Sequence, residues 1–381
     1  MEDLSQIRTR IDAIDDQLCD LFAQRMACSA DVARYKIAKG LPVLDRSRER
    51  AKLADVASKV PGDLRDYSQL LFSLIMEVSR VSQNAIMGTG SHLDESITKA
   101  ISETPSLFPQ EAFVACQGVE GAYSQIAADR LFKRATISYF ETFDDVFRAV
   151  EEGFCRYGVL PIENSTAGTV NQVHDLMMRH SFSIVRTVRV KVNHALLAAP
   201  GTKLEDVREI YSHQQAIAQC HDFLAGLEGV TVHRAENTAA AAKMVAESGR
   251  GDVAALSSRS CADLYNLEVI AKNVQDNSNN YTRFACISKD LEIYPGAERT
   301  SLMVVTPNDP GSLYKVLGRF YALDINLVKL QSRPLPDSDF DFMFYLDLDC
   351  PVAAPEFASL MGTLSDVCEE FRYLGSYAEL V

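Results

Sequence analysis

The sequence predicts a multidomain chain: an all-α helical module, then a two-lobed α/β module, then a small module with the element order β-α-β-β-α-β. Three observations predict it. The chain has 381 residues, more than one ordinary hydrophobic core organises. Charge is unevenly shared: residues 1–85 hold 13 Lys and Arg against 13 Asp and Glu, so the remainder carries the whole net charge of −14. The apolar spacing changes twice, from long helical stripes to short β-rich runs alternating with helices, and then to a strand-rich tail.

The totals exclude several function classes. An acidic chain opposes nucleic acid, whose phosphates need a basic field. No apolar run approaches the roughly 18 residues of a spanning helix, so no membrane partner is expected. The opening "MEDLSQIRTR" is acidic and polar, unlike a secretory leader. Nine scattered cysteines without a CxxC pair read as reduced thiols of a cytoplasmic protein, neither disulfides nor a metal site.

The elements follow in order. Ile7, Ile11, Ile14, Leu18 and Leu21 alternate spacings of four and three, a heptad stripe suited to packing against another long helix. Gly40 and Pro42 end it, a second helix begins near Asp45, and a third runs from about Asp63 to Ser82. This module, 1–87, has too thin a core to stand alone, so a homodimer is the minimum assembly, with a tetramer as the alternative. Residues 88–111 read as a linker around one short helix with Ile97, Ala100 and Ile101 on one side. From 112 to 290, runs such as "FVAC", "YGVLPI" and "TRFACI" alternate with helical ones such as "DDVFRAVEE" and "AIAQCHDFLAG". The long run "SIVRTVRVKVNHALLA" is expected to cross between two lobes. Residues 299–381 give the β-α-β-β-α-β order, which is ferredoxin-like.

Within the helical module, Arg25 and Lys36 lie only about 20° apart around the helix and share a face, whereas Arg8 lies about 100° away. One straight helix cannot aim all three at one point, but an antiparallel or entwined dimer would let Arg8 reach the partner's site. Taken singly these cations read as a solvated face, and Asp45 as a helix N-cap. Together, the spacing from Arg8 to Arg25 to Lys36 to "DRSRE" (45–49), then Ser79 and Gln83, resembles the all-helical chorismate mutases. The resemblance implies isomerisation of chorismate to prephenate. That rearrangement needs a dicarboxylate held compactly and charge stabilised on an ether oxygen. It implies that Arg8 (from the partner), Arg25, Arg48 and Ser79 hold carboxylates. Lys36 and Gln83 would donate to the ether oxygen, with Asp45 and Glu49 at the ring hydroxyl.

In "GVLPIENSTAG" (158–168) a buried strand ends in a carboxylate, an amide and two hydroxyls, where open α/β sheets place ligands. Ser165 or Thr166 reads as a cap for the next helix; capping does not account for Glu163 and Asn164. This stretch, with "GVEGAYSQ" (118–125), "YSHQQAIAQC" (211–220) and "NNYTRF" (279–284), resembles the prephenate dehydratases. The resemblance implies loss of CO₂ and a ring hydroxyl to give phenylpyruvate, without a cofactor. It gives Thr282 the leaving hydroxyl, places Glu163, Asn164, Ser212 and Gln215 in the cleft, and completes the motif with Arg283 and Phe284. Arg283 either anchors a carboxylate or supports the loop. Ala122 and Val119 stand where the family usually has a hydroxyl residue and a proline.

The C-terminal module resembles the ACT domains, which sense amino acids. "DPGSLYKVLGRF" (309–320) and "INLVKLQSRP" (325–334) match the stretches that bind phenylalanine in the dehydratase family. The residues implied are Gly311, Ser312, Leu313, Asn326, Gln331 and Ser332, with Gln331 replacing the usual Glu. The reading is therefore a bifunctional enzyme of phenylalanine synthesis restrained by its product. The alternatives are a prephenate or arogenate dehydratase whose mutase module only dimerises, and a non-catalytic amino-acid sensor.

Overall fold

The computed structural model describes residues 3–87, 92–335, 342–364 and 367–381; part of the expected linker, 88–91, lies outside them. The chain divides into two compact units. The first comprises Met1–Glu95, Asp309–Leu323 and Ala358–Glu369, and the second comprises Ser96–Asn308, Asp324–Phe357 and Glu370–Val381.

Three helices dominate the first unit: α1 (Leu4–Lys39), α2 (Arg46–Ser58) and α3 (Arg65–Met87). Gly40 ends α1 in the left-handed conformation (φ 61°), and Asp45 starts α2 by accepting a hydrogen bond from the Arg48 amide. The helix α3 packs against both others. Ala33, Val56 and Met76 are buried, whereas Ile7, Ile11, Ile14, Leu18 and Leu21 are 39–60% exposed. Among the described residues no helix is long and apolar enough to cross a membrane.

Next comes α4 (His92–Glu103), the short helix expected in the linker. Ile97 and Ala100 are buried, but Ile101, expected beside them, is 47% exposed, because it lies a further 100° around the helix from Ala100. The chain continues through β1 (Glu111–Gln117), α5 (Tyr123–Leu131), β2 (Arg134–Phe140), α6 (Phe143–Glu151), β3 (Tyr157–Asn164), β4 (Gly168–Thr169), α7 (Asn171–Arg179) and β5 (Ser183–Lys191). Then follow β6 (Ala195–Ala198), β7 (Glu209–Ser212), α8 (Gln214–Gln219), α9 (His221–Ala225), β8 (Thr231–Arg234), α10 (Thr238–Ser248), β9 (Val253–Ser257), α11 (Ser260–Tyr265), β10 (Glu268–Ala271) and β11 (Tyr281–Ser288). "AIAQCHDFLAG", expected as one helix, is broken at Cys220 into α8 and α9. The tail is β12 (Arg299–Val305), α12 (Ser312–Ala322), β13 (Asn326–Pro334), β14 (Phe342–Asp349), α13 (Pro355–Leu364) and β15 (Glu370–Leu380).

The strands of the second unit form two sheets. One runs β13-β14-β12-β15-β5-β11-β3-β1-β2, with β4 on β3; the other runs β10-β6-β9-β7-β8. "SIVRTVRVKVNHALLA" supplies β5 to the first and β6 to the second, so it crosses between lobes. The C-terminal strands join the first sheet where β15 pairs in parallel with β5. Gly375 (φ 139°) makes this possible, since a Cβ there would sit 2.2 Å from the Ile184 carbonyl oxygen. Gly375→Ala is expected to cost on the order of 3 kcal/mol, read as a lowered thermal midpoint.

His174 on α7 is buried, with Nδ1 donating to the Val170 carbonyl at 3.1 Å and its ring edge-on to Tyr345. Burial, helped by nearby Lys329, holds its pKa down to about 4. The unfolded chain binds the proton first as pH falls from about 6.5 toward 4, so stability is lost across that window, by roughly 3 kcal/mol at most. Urea melts of His174→Phe at pH 4.5 and pH 7 should show a flatter dependence than the wild type.

Candidate active sites

The helical unit holds a cavity of about 400 Å³. Arg25, Lys36, Asp45, Arg48, Glu49, Ser79 and Gln83 all line it. Helical periodicity brings them together: residues 25, 29, 32 and 36 of α1 step by four, three and four, and on α3 residues 79 and 80 each stand three or four from both 76 and 83. Arg8, expected to serve a partner chain, is exposed on α1 and lies outside this cavity.

Each polar group is held by a neighbour. The Arg25 guanidinium donates to Ser79 Oγ and, at 3.3 Å, to the Ile75 carbonyl; burial lowers its pKa. Lys36 Nζ donates to the Val43 carbonyl at 2.5 Å. Gln83 Nε2 donates to Ser29 Oγ at 3.1 Å, and its Oε1 is buried without a partner among the described residues. The Asp45 carboxyl caps α2, and the Arg48 amide and the Ser47 hydroxyl hold its pKa down. Sequence reasoning missed Arg80, which pairs with Glu49, and Ser29. Ser29 lies four residues beyond Arg25 and Arg80 three before Gln83, so helical spacing from the expected residues was the available signal. The result is a small chamber with several cations and an amide, fit to hold a compact dianion and to stabilise charge growing on an oxygen.

The second unit holds a cleft of about 560 Å³. Thr282, Asn164, Gln215 and Phe284 line it. Asn164 is its hub. The side-chain Oδ1 accepts from the Thr166 amide (3.1 Å), the Ala167 amide (2.8 Å) and Thr166 Oγ1 (2.7 Å). Its Nδ2 donates to Asn280 Oδ1 at 2.8 Å and to Thr282 Oγ1 at 3.0 Å. Thr282 Oγ1 thus accepts from Asn164 and keeps its own proton for a ligand.

Ser165 and Thr166 differ from their expected role. The helix α7 starts after Val170, without a side-chain cap. Ser165 Oγ instead accepts from the Tyr281 amide and donates to the Asn279 carbonyl, and Thr166 bonds Asn164. Ser212, expected in the cleft, is fully buried and donates to the Leu256 carbonyl at 2.7 Å; the next residue, His213, is the N-cap of α8 and lines the cleft instead.

Glu163 and Arg283 are the larger correction, because neither lines the cleft. Asn164 pairs with Thr282, Glu163 with Arg283 and Pro161 with Phe284, and directly paired residues share a face. The first and third pairs face the cleft, so the middle pair faces away. A bulge at this point of β3 sets that phase. Arg283, buried, pairs with Asp347 and lies 3.5 Å from Glu163 and 3.8 Å from Glu379. Burial works against its charge, but Asp347 and the other acids raise its pKa overall.

Among the described residues no Lys or Arg lines the cleft. Positive character comes from helix starts, since Ala122–Ser124 of α5, Val170 of α7 and Asn237–Thr238 of α10 lie on its wall. Ala122, where the family usually has a hydroxyl residue, is the N-cap of α5 and gives no side-chain hydrogen bond, leaving the first amides of α5 uncapped from that side. Sequence reasoning missed Gln219 and His194. Gln219 stands one helical turn beyond Gln215 in the same quoted motif.

Of the residues implied for phenylalanine, Gly311 (φ 83°) starts α12, Ser312 is buried and Leu313 half-buried. Asn326 Nδ2 donates to Asp349, and Ser332 is exposed. Gln331 Oε1 accepts from Thr169 Oγ1 at 2.9 Å, and Thr169 lines the cleft.

Residues 7–84 match the family described as Chorismate mutase type II, and residues 114–292 match the family described as Prephenate dehydratase. The Bifunctional chorismate mutase/prephenate dehydratase of Escherichia coli (strain K12) is 30% identical over 98% of this chain and 96% of its own. The chain belongs to the bifunctional chorismate mutase/prephenate dehydratase family. The Arogenate dehydratase/prephenate dehydratase 2, chloroplastic, of Arabidopsis thaliana is 35% identical, over 79% of this chain and 81% of its own. A prephenate dehydratase from Arthrobacter aurescens, solved in complex with L-Phe, is 28% identical with a TM-score of 0.63, over 70% of this chain and 90% of its own. The helical cavity thus lies within the mutase segment of the family, and the cleft within its dehydratase segment.

Proposed function

We propose that this chain converts chorismate to prephenate in its helical cavity and prephenate to phenylpyruvate in its cleft. One observation carries the reading: each cavity gathers the residues its chemistry needs, with cations and a buried amide in one and a polarised hydroxyl among helix starts in the other. In the first, Arg25 and Arg48 grip carboxylates while Lys36 and Gln83 face the ether oxygen, where charge grows as that bond breaks. In the second, the bond from the ring to its carboxylate breaks and releases CO₂. Its electron pair enters the ring, and the ring carbon–hydroxyl bond breaks with the pair leaving on oxygen. Thr282 Oγ–H donates to that developing hydroxide, which takes its proton from solvent to become water. No cofactor enters either step.

The stripe of exposed apolar residues on α1 supports a homodimer or tetramer in which Arg8 completes a partner's cavity. The tail is read as a ferredoxin-like ACT module: its element order is β-α-β-β-α-β and its strands lie in the order β13-β14-β12-β15. Phenylalanine is the effector this reading assigns, and the cytoplasm is the compartment. Purified protein given chorismate should consume it and release phenylpyruvate, and millimolar phenylalanine should slow the second step. Prephenate accumulating unchanged would overturn the dehydratase assignment, unless arogenate is turned over in its place. Inert chorismate would overturn the mutase assignment.

A further inference from the structure

His194 is a buried polar side chain in the cleft wall, 3% exposed, to which the steps above give no task. Its Nε2 lies 3.0 Å from Gln219 Oε1. Gln219 Nε2 donates to Thr166 Oγ1 at 3.1 Å, Thr166 Oγ1 donates to Asn164 Oδ1 at 2.7 Å, and Asn164 Nδ2 donates to Thr282 Oγ1 at 3.0 Å.

The direction of every link is forced. Two backbone amides, of Thr166 and Ala167, fix which atom of Asn164 is the oxygen. Thr166 has one hydroxyl proton and gives it to that oxygen, so Gln219 must turn its NH₂ toward Thr166. Gln219 Oε1 then faces His194, whose Nε2 must carry a proton. Burial lowers the His194 pKa and favours a neutral ring with a single proton, and Nδ1 accordingly has no partner among the described residues. The Tyr123 ring stands edge-on to the imidazole, with its hydroxyl tied to the Asn193 carbonyl at 2.8 Å. The chain is therefore pinned by backbone amides at Asn164 and by one imidazole at Gln219.

We propose that His194 is a positioning residue of the dehydratase site: by donating Nε2–H to Gln219 it holds that amide with its NH₂ toward Thr166 and the cleft, and closes the far end of the hydrogen-bond chain that serves Thr282. This rests on the dehydratase reading. Gln219 Nε2 has a second proton, and Gln219 lines the cleft.

The test compares His194→Leu, which removes the donor, with His194→Gln, whose amide can replace it. His194→Leu should lower kcat on prephenate about tenfold or more, the cost of an orphaned buried acceptor, with KM within about threefold. His194→Gln should recover most of that loss. Gln219→Glu cannot donate to Thr166, and combining it with His194→Leu should add little further loss. Unchanged kcat in His194→Leu overturns the proposal, as does a rise in KM alone, which would make His194 a substrate contact. Equal impairment of a folded His194→Gln overturns it too. The ¹⁵N spectrum of the wild-type imidazole should show the Nε2–H tautomer, and the Nδ1–H tautomer would overturn the proposal without any turnover measurement. A wild-type protein inert toward prephenate would instead sink the dehydratase reading, with the tautomer still measurable.

Discussion

Thr282→Val is expected to lower phenylpyruvate formation by about 10²- to 10³-fold while leaving chorismate consumption unchanged. The reason is geometric. Valine keeps the shape and β propensity of threonine, so β11 should hold its register between β3 and β5. What is lost is one O–H. Asn164 Nδ2 already donates to Thr282 Oγ1, so the threonine proton is the one donor at this position free for a ligand. Hydroxide is a poor leaving group, and a donor that meets the charge only as the bond breaks acts on kcat more than on KM. Thr282→Ser keeps the donor and should retain most of the turnover. Chorismate isomerisation needs no residue of the cleft, so it serves as an internal control. Undiminished phenylpyruvate from the valine variant would remove Thr282 from the chemistry.

The parts of this arrangement legible in the sequence are those governed by local periodicity. Arg25, Lys36, Ser79 and Gln83 sit on helices, where spacing alone fixes which residues share a face, and all four line one cavity. The strand-borne residues obey a period of two, and one inserted residue reverses it. Plain alternation puts Glu163 on the same face as Pro161; the bulge in β3 pairs Pro161 with Phe284 and Glu163 with Arg283, so only Pro161 lines the cleft. Long-range pairing is invisible in the same way. Nothing in "INLVKLQSRP" reveals that alternate residues of β13 meet the dehydratase segment, with Lys329 3.4 Å from Glu163, Gln331 on Thr169, and Arg333 holding Asp175 through two bonds of 2.7 Å. The resemblance gives Gln331 to an effector, whereas its amide oxygen accepts from Thr169 of the cleft wall.

Arg283→Met is expected to destabilise the second unit by about 3–5 kcal/mol, with little change in KM for prephenate. Asp347 is the reason: it is buried, bonded to Ser301 Oγ, and paired with Arg283 across the face of the sheet that turns away from the cleft. Burial opposes its charge, yet Arg283 and Ser301 hold its pKa below the usual carboxylate range. Removing the guanidinium leaves that carboxylate buried with Glu163 and Glu379 nearby. Replacing both partners, as Arg283→Met with Asp347→Leu, should restore much of the loss, because an apolar pair carries no desolvation penalty. Urea melts give the stabilities, and steady-state kinetics on the folded fraction gives KM. The two roles that the sequence leaves open for Arg283 separate here. A carboxylate anchor in the cleft would raise KM at least tenfold and leave the double variant as impaired as the single one. A buried strut would move stability and spare KM, the outcome expected from a side chain that faces Asp347 rather than the substrate.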